Sequence, residues 1–249
     1  MVAVAGWKRI GPDPDIAAWA AAAWPLAREA LAQTDQPLRS GGTWAVGLEL
    51  LDNDPSGAVA GCAFPWSALP WRQQPLHRGQ LSAVHPGYPQ PSPEESDAAY
   101  RFRLNRDAAH LDGLLAVGVD KRRMLKEPHA WILGLPLTAC DPGAAPLVVW
   151  EGSHEIIRAA FWDAFGDAPT GQLDQIDVTE IYTAARARVF DLCPRVEVPA
   201  QPGEAILLHR MTIHGVAPWA PGAKAPPEGR IIAYFRPLLN SSAEWIAAP

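Results

Sequence analysis

The feature that most constrains this chain is its punctuation: 26 prolines and 20 glycines are spread through 249 residues. Proline fixes φ and has no N–H to give, and glycine weakens the interior of a helix or strand, so the segments between them stay short. That suits a sheet-rich fold with long connections. The chain is also 48% hydrophobic, enough at this length for one large core. No internal repeat is present, and no linker is long enough to separate two domains.

Within that punctuation, Asp13-Pro14-Asp15 opens the run IAAWAAAAWPLAREALAQ as a capped helix, with aspartate as cap and proline in the first turn. Strands are expected at residues 43–50, 80–85, 100–104, 129–137 and 146–150. The apolar positions Ile156, Ile157, Ala160, Phe161, Ala164 and Phe165 recur at helical spacing, giving a helix over 155–165 and a second over 178–190. Four strands follow, at 195–198, 204–209, 212–216 and 230–236, with the Pro/Gly-rich stretch 218–229 as a loop at a barrel mouth. Strands on both sides of a helical insert imply a single, mainly β domain. The expected architecture is a jelly-roll or cupin-like double-stranded β-helix over about residues 43–238. The helical region at about 12–35 and the two inserted helices pack outside it, the latter burying Ile156, Ile157, Ala160 and Phe161.

A net charge of −6 argues against a nucleic-acid partner. Cys62, Cys140 and Cys193 are far apart and odd in number, so neither a disulfide framework nor a structural zinc site is expected. The N-terminus lacks the pattern of a signal peptide, and the alanine-rich stretch is too short and polar to span a bilayer. A soluble cytoplasmic protein with no membrane partner is expected. Its oligomeric state is not legible.

Three signals carry chemistry. In His110-Leu111-Asp112, side chains at i and i+2 of an extended segment point the same way, so imidazole and carboxylate can share one metal. In GEAILLHRMTIHG, an apolar strand, a tight connection and a short strand end on His214-Gly215, which can bring a second histidine to that metal. Two histidines and one carboxylate with open positions suit iron(II). Arg230 opens the last strand, and its guanidinium can grip a carboxylate at two points.

From about Gln80 to Leu238 these pieces resemble the phytanoyl-CoA dioxygenase-like family of iron(II)/2-oxoglutarate oxygenases. They are His110-x-Asp112, AWILGLPL, PLVVWEGSH, LLHRMTIHG and Arg230, in the family's order. The resemblance implies that His110, Asp112 and His214 ligate Fe(II). It implies that Arg230 binds the distal carboxylate of 2-oxoglutarate, that Trp131 lines the cosubstrate pocket, and that O2 oxidises a small organic substrate. The carboxylate of Asp112 implies hydroxylation rather than halogenation. Two departures stand out: the family's PGSH reads Glu151-Gly152-Ser153-His154, and the stretch from His214 to Arg230 is lengthened. Arg236, on the same strand face by period-2 alternation, is the alternative clamp. The first 75 residues carry no part of the resemblance.

Other residues have plainer roles. His154 packs at a helix start and His209 packs in a strand, while His85 is placed near the cosubstrate pocket. Arg101, Arg103 and Arg106 form a solvated strand face or meet an anionic substrate. Lys121-Arg122-Arg123 is a surface run, and most of the tryptophans are packing. Competing functions are a cupin-like metal isomerase or dioxygenase without 2-oxoglutarate, which has no need of Arg230, and a non-catalytic binding barrel.

Overall fold

The computed structural model describes residues 4–93, 95–166 and 168–247. Its chain is mainly β with flanking helices. Strand β1 (Trp7–Ile10) precedes helix α1 (Pro14–Gln33), which Asp13 caps through its carboxylate, accepting from Asp15 and Ile16 N–H. Strands β2 (Trp44–Glu49) and β3 (Gln80–Val84) follow, then helix α2 (Asp97–Asn105). A hairpin of β4 (Leu114–Val117) and β5 (Arg122–Leu125) leads to β6 (Trp131–Pro136) and β7 (Leu147–Trp150). Helices α3 (Ser153–Phe165) and α4 (Thr179–Leu192) precede β8 (Arg195–Val198), β9 (Ala205–His209), β10 (His214–Val216), β11 (Arg230–Phe235) and a short α5 (Ser242–Ala247).

Six strands form a large antiparallel sheet in the order β1-β9-β6-β11-β3-β2 and three form a small one, β10-β7-β8. Among the described residues the strands pair into separate sheets, the two larger of which pack together through an apolar layer.

The large sheet is apolar on both faces. Outward, Trp131, Leu133, Leu207, Ile231, Ala233 and Phe235 pack with Ile16, Trp19, Ala23 and Ala27 of α1. Inward, Ile132, Ile206 and Leu208 meet Leu147, Val149 and Val198 of the small sheet. A strand buried on both sides has no polar face, which is why all six residues of β6 are buried and its sequence reads as one apolar run. The small sheet's other face, with Val148 and Trp150, packs against Ile157 and Phe161 of α3 and Val189 of α4, with Ile156 and Ala160 half-buried beside them. The inserted helices therefore lie outside the sheets, as their periodicity implied.

The strand expected at residues 100–104 is instead part of α2. Five alternating residues fit either period, and the deciding signal lies just upstream, where the Ser96 hydroxyl caps Ala99 N–H and Asp97 opens the first turn. The β4–β5 hairpin and β1 were not expected. No helix among the described residues is long and apolar enough to cross a membrane. The three cysteines are free.

Candidate metal centre

The two histidines meet through backbone pairing. His110 and His214 form an antiparallel bridge, His110 N–H donating to His214 O at 2.9 Å and His214 N–H to His110 O at 3.1 Å. The chain leaves α2 through Asp107 and Ala108, both in the left-handed region (φ 52° and 53°). Asp107 is buried, and the Arg195 guanidinium holds its carboxylate at two points, 2.7 and 2.8 Å, which ties this turn to β8. A Cβ at Gly215 would stand 2.1 Å from the Asp107 carbonyl oxygen. The glycine after His214 is thus the condition for the bridge to close.

Each ring is fixed by its own backbone. Nδ1 of His110 donates to Ala108 O at 3.0 Å and Nδ1 of His214 to Thr212 O at 2.9 Å. A carbonyl only accepts, so the proton sits on Nδ1 and the Nε2 lone pairs are left for a metal. Asp112 Oδ1 lies 3.2 Å from His110 Nε2 and 3.8 Å from His214 Nε2, and one ligand atom from each residue lies within 4.8 Å of the others. The other oxygen, Oδ2, accepts from Arg236 Nη1 at 2.7 Å.

Burial works to raise the Asp112 pKa, but the neighbouring His214 and His110 and the charge of Arg236 outweigh it and hold the carboxyl well below its usual range. For His214, burial dominates and pushes the pKa down to about 4. For His110, burial is opposed by Asp112 and the balance lies upward. The centre is an ionised carboxylate facing two imidazoles, a hard oxygen and two borderline nitrogens.

Between the inner faces of the two sheets lie two adjoining cavities with shared walls, together called the chamber, one at this centre and one at Arg230. Its metal end is lined by His110, Asp112, His214 and Tyr234, and its far end by Ile206, Leu208 and Arg230; Ile132, Leu147 and Tyr234 line both. Along β11 the alternation sends Ile231, Ala233 and Phe235 outward, and Arg230, Ile232 and Tyr234 inward. Arg230 is only 7% exposed, and its Nε and Nη2 have no hydrogen-bond partner among the described residues. Arg236 lies six residues on, roughly 20 Å along an extended chain, and is already engaged by Asp112 and Gln80.

Trp131 does not line this chamber. It faces outward into the cluster beneath α1 and stacks on Trp71, with ring centroids 4.1 Å apart, while its neighbour Ile132 faces inward. His85 lines a separate groove beside the end of α1. His154 and His209 are packed together, with ring centroids 5.0 Å apart. Arg103 pairs with Glu95, and Arg106 stacks over Phe190. Sequence reasoning passed over Gln80, Ser82 and Trp44, which line the metal end. The signal was present: in QLSAV the polar residues take the inward parity, while Leu81 and Ala83 pack under α1.

No protein-family model matches the chain, and no curated protein is significantly similar to it. Among solved structures, it is similar to SnoK, a non-heme alpha ketoglutarate dependent carbocyclase from nogalamycin biosynthesis, with 12% identity over 96% of this chain and 84% of that one (TM-score 0.47). It is also similar to AviO1 from Streptomyces viridochromogenes Tue57, with 17% identity over 95% and 92% (TM-score 0.43). A third is the asparagine oxygenase AsnO, with 16% identity over 66% and 56% (TM-score 0.32). Likenesses of this depth leave the functional reading to rest on the site itself.

Proposed function

We propose that this chain is an iron(II)/2-oxoglutarate-dependent dioxygenase, phytanoyl-CoA dioxygenase-like, that hydroxylates a small organic molecule. The observation that carries the proposal is a pair in adjoining cavities that share Ile132, Leu147 and Tyr234 as walls: an oriented His-Asp-His cluster in one and a buried guanidinium with unpartnered N–H groups in the other. A buried polar group without a partner costs stability. Arg230 is therefore best explained by a ligand that brings it a carboxylate.

The residues fit both groups. His110, Asp112 and His214 would hold Fe(II): their donor atoms converge, the Nδ1–H bonds leave Nε2 free, and the donor set suits this metal. 2-Oxoglutarate has a keto-acid end for the metal and a far carboxylate for Arg230, and the chamber between them is walled by Ile132, Leu147 and Tyr234. When bound, iron, 2-oxoglutarate and O2 supply oxidative decarboxylation to succinate and carbon dioxide, coupled to hydroxylation of a substrate C–H. The protein's own share is orientation. Arg236 fixes the Asp112 carboxylate through Oδ2, the Ala108 and Thr212 carbonyls fix the two rings, and the apolar walls exclude water.

A metal isomerase or a non-catalytic barrel would share the cluster but leave Arg230 without a use. Calorimetry separates the readings. The oxygenase binds 2-oxoglutarate in an Fe(II)- or Mn(II)-dependent way and releases succinate aerobically with iron. Failure to bind 2-oxoglutarate under metal saturation returns the chain to the cupin-like alternatives.

A further inference from the structure

A second cavity shares His110, Asp112 and Arg236 with the chamber but lies outside the sheets, between the β4–β5 hairpin and α4. Its wall carries Lys121 and Arg123 from the hairpin and Arg186 from α4, against Glu127 as its one carboxylate besides Asp112. Thr179, Thr183 and Arg186 also line it, at the spacing of one helix face.

The charges here are sorted. On the same hairpin, Arg122 is paired with Asp177 and Glu180, and nearby Lys126 with Asp174. Lys121, Arg123 and Arg186 have no carboxylate partner among the described residues, in a chain whose net charge is −6. With acids in excess, such a cluster is not the product of composition. Two of the three are also held in place. Arg123 Nη1 donates to Leu114 O at 3.2 Å, and the Arg186 guanidinium stacks over Phe102 and Tyr182, 4.8 and 5.1 Å from the ring centroids. Neither contact neutralises the charge, so each remains an oriented donor for an oxyanion. His110, whose side chain is 45% exposed, lines the same cavity.

We propose that the organic substrate bears an oxyanion, a carboxylate or a phosphate, which Arg123 and Arg186 hold with help from Lys121 while its body lies toward His110 and Asp112. This assignment rests on the oxygenase reading for what happens to the substrate, but the anion site stands or falls separately. The interior chamber has its own cation for 2-oxoglutarate, so the two anions are held by different arginines.

The test uses the full chain loaded with Mn(II) and saturated with 2-oxoglutarate, titrated with hexanoate, hexyl phosphate and hexanamide. One anion or both should bind, at least about tenfold more tightly than the amide, and the affinity should fall with added salt. Comparing the two anions identifies the head group. Arg123→Gln and Arg186→Gln should each weaken the anion roughly five- to tenfold. Arg122→Gln removes the same charge from the same hairpin and should change it less than about twofold. Equal binding of hexanamide, equal loss in Arg122→Gln, unchanged binding in the Arg123 and Arg186 variants, or binding by neither anion would overturn the proposal. If Arg186→Gln fails to fold, Arg123→Gln and Lys121→Gln decide it. If 2-oxoglutarate fails to bind while the anion still depends on Arg123, the oxygenase reading falls and the anion site stands.

Discussion

The interior chamber and the outer cavity meet at the same three side chains but are built of opposite materials. The chamber is walled by Ile132, Leu147, Ile206 and Leu208, with a guanidinium at its end whose Nε and Nη2 have no partner among the described residues. The outer cavity is walled by cations and hydroxyls on a hairpin and a helix face. One cation at the apolar end of the chamber selects a ligand with a fixed length between metal and carboxylate. Several charges around the outer cavity attract a class of ligands and discriminate among them less. The difference teaches that the cosubstrate should be specified by the sheets, the larger of which is packed on both faces, and the substrate by elements outside them.

The largest expected effect lies at the shared boundary. Asp112→Ala should abolish succinate formation, measured under aerobic turnover with saturating Fe(II), while the chain still unfolds cooperatively. Retained turnover would break the comparison at its root, because the two spaces would then not meet at a metal. Next in size is the far end of the chamber. A charge-assisted pair in a partly dry site contributes about 1.5–3 kcal/mol, so Arg230→Ala should raise the 2-oxoglutarate dissociation constant on the order of 10- to 100-fold. Arg230→Lys should recover only part, and metal affinity should hardly move. Arg236→Gln should do the reverse. Having lost its grip on Asp112 Oδ2, it should weaken Mn(II) binding by roughly tenfold and change 2-oxoglutarate affinity mainly through the metal. If the two variants exchange these phenotypes, the chamber runs the other way.

How much of this was legible in the sequence follows from how local each signal is. His110-x-Asp112 was readable because i and i+2 share a face in any extended segment. His214-Gly215 was readable as a motif, but its reason, the 2.1 Å approach of the Asp107 carbonyl, appears only when the two segments pair. The choice between Arg230 and Arg236 was not readable, since both have the inward parity. Only burial and prior partners distinguish them. The cations of the outer cavity were invisible for a related reason: Lys121, Arg122 and Arg123 look alike in a run, and which of them are paired depends on where α4 docks. The jelly roll was legible as facing antiparallel sheets, but not the order of the strands within them.

The comparison also sorts the histidines, with a smaller expected effect. Those of the metal centre keep Nε2 free, whereas His209 is 7% exposed and its Nε2 meets Arg158 Nη2 at 2.9 Å. Burial, then the charges of Arg210, His154 and Arg158, push its pKa down to about 3. The folded state therefore favours neutral His209. Its contribution to stability is complete above the unfolded value near 6.5 and is lost as pH falls toward 3, on the order of 1 kcal/mol by pH 5. Urea unfolding between pH 7 and 5 should show this slope, and His209→Gln should flatten it. An unchanged slope would mean that His209 is not buried neutral.

The smallest effect is expected where the sequence misled. Trp131 was assigned to the cosubstrate pocket by resemblance, yet β6 is buried on both faces and its apolar run carries no parity. Only the sheet decides that Trp131 faces α1 and Ile132 faces the chamber. A pair of substitutions on these adjacent residues tests that difference. Trp131→Phe should leave 2-oxoglutarate affinity within about twofold while loosening the stack on Trp71, a cost of about 0.5–1.5 kcal/mol in unfolding. Ile132→Phe pushes added volume into a chamber wall that a carboxylate chain must pass, so it should weaken 2-oxoglutarate by more than Trp131→Phe does, at comparable stability. Should Trp131→Phe prove the more damaging to cosubstrate binding, the inward and outward faces of β6 are exchanged. The chamber, with the role given to Arg230, would then have to be redrawn on the α1 side of the sheet.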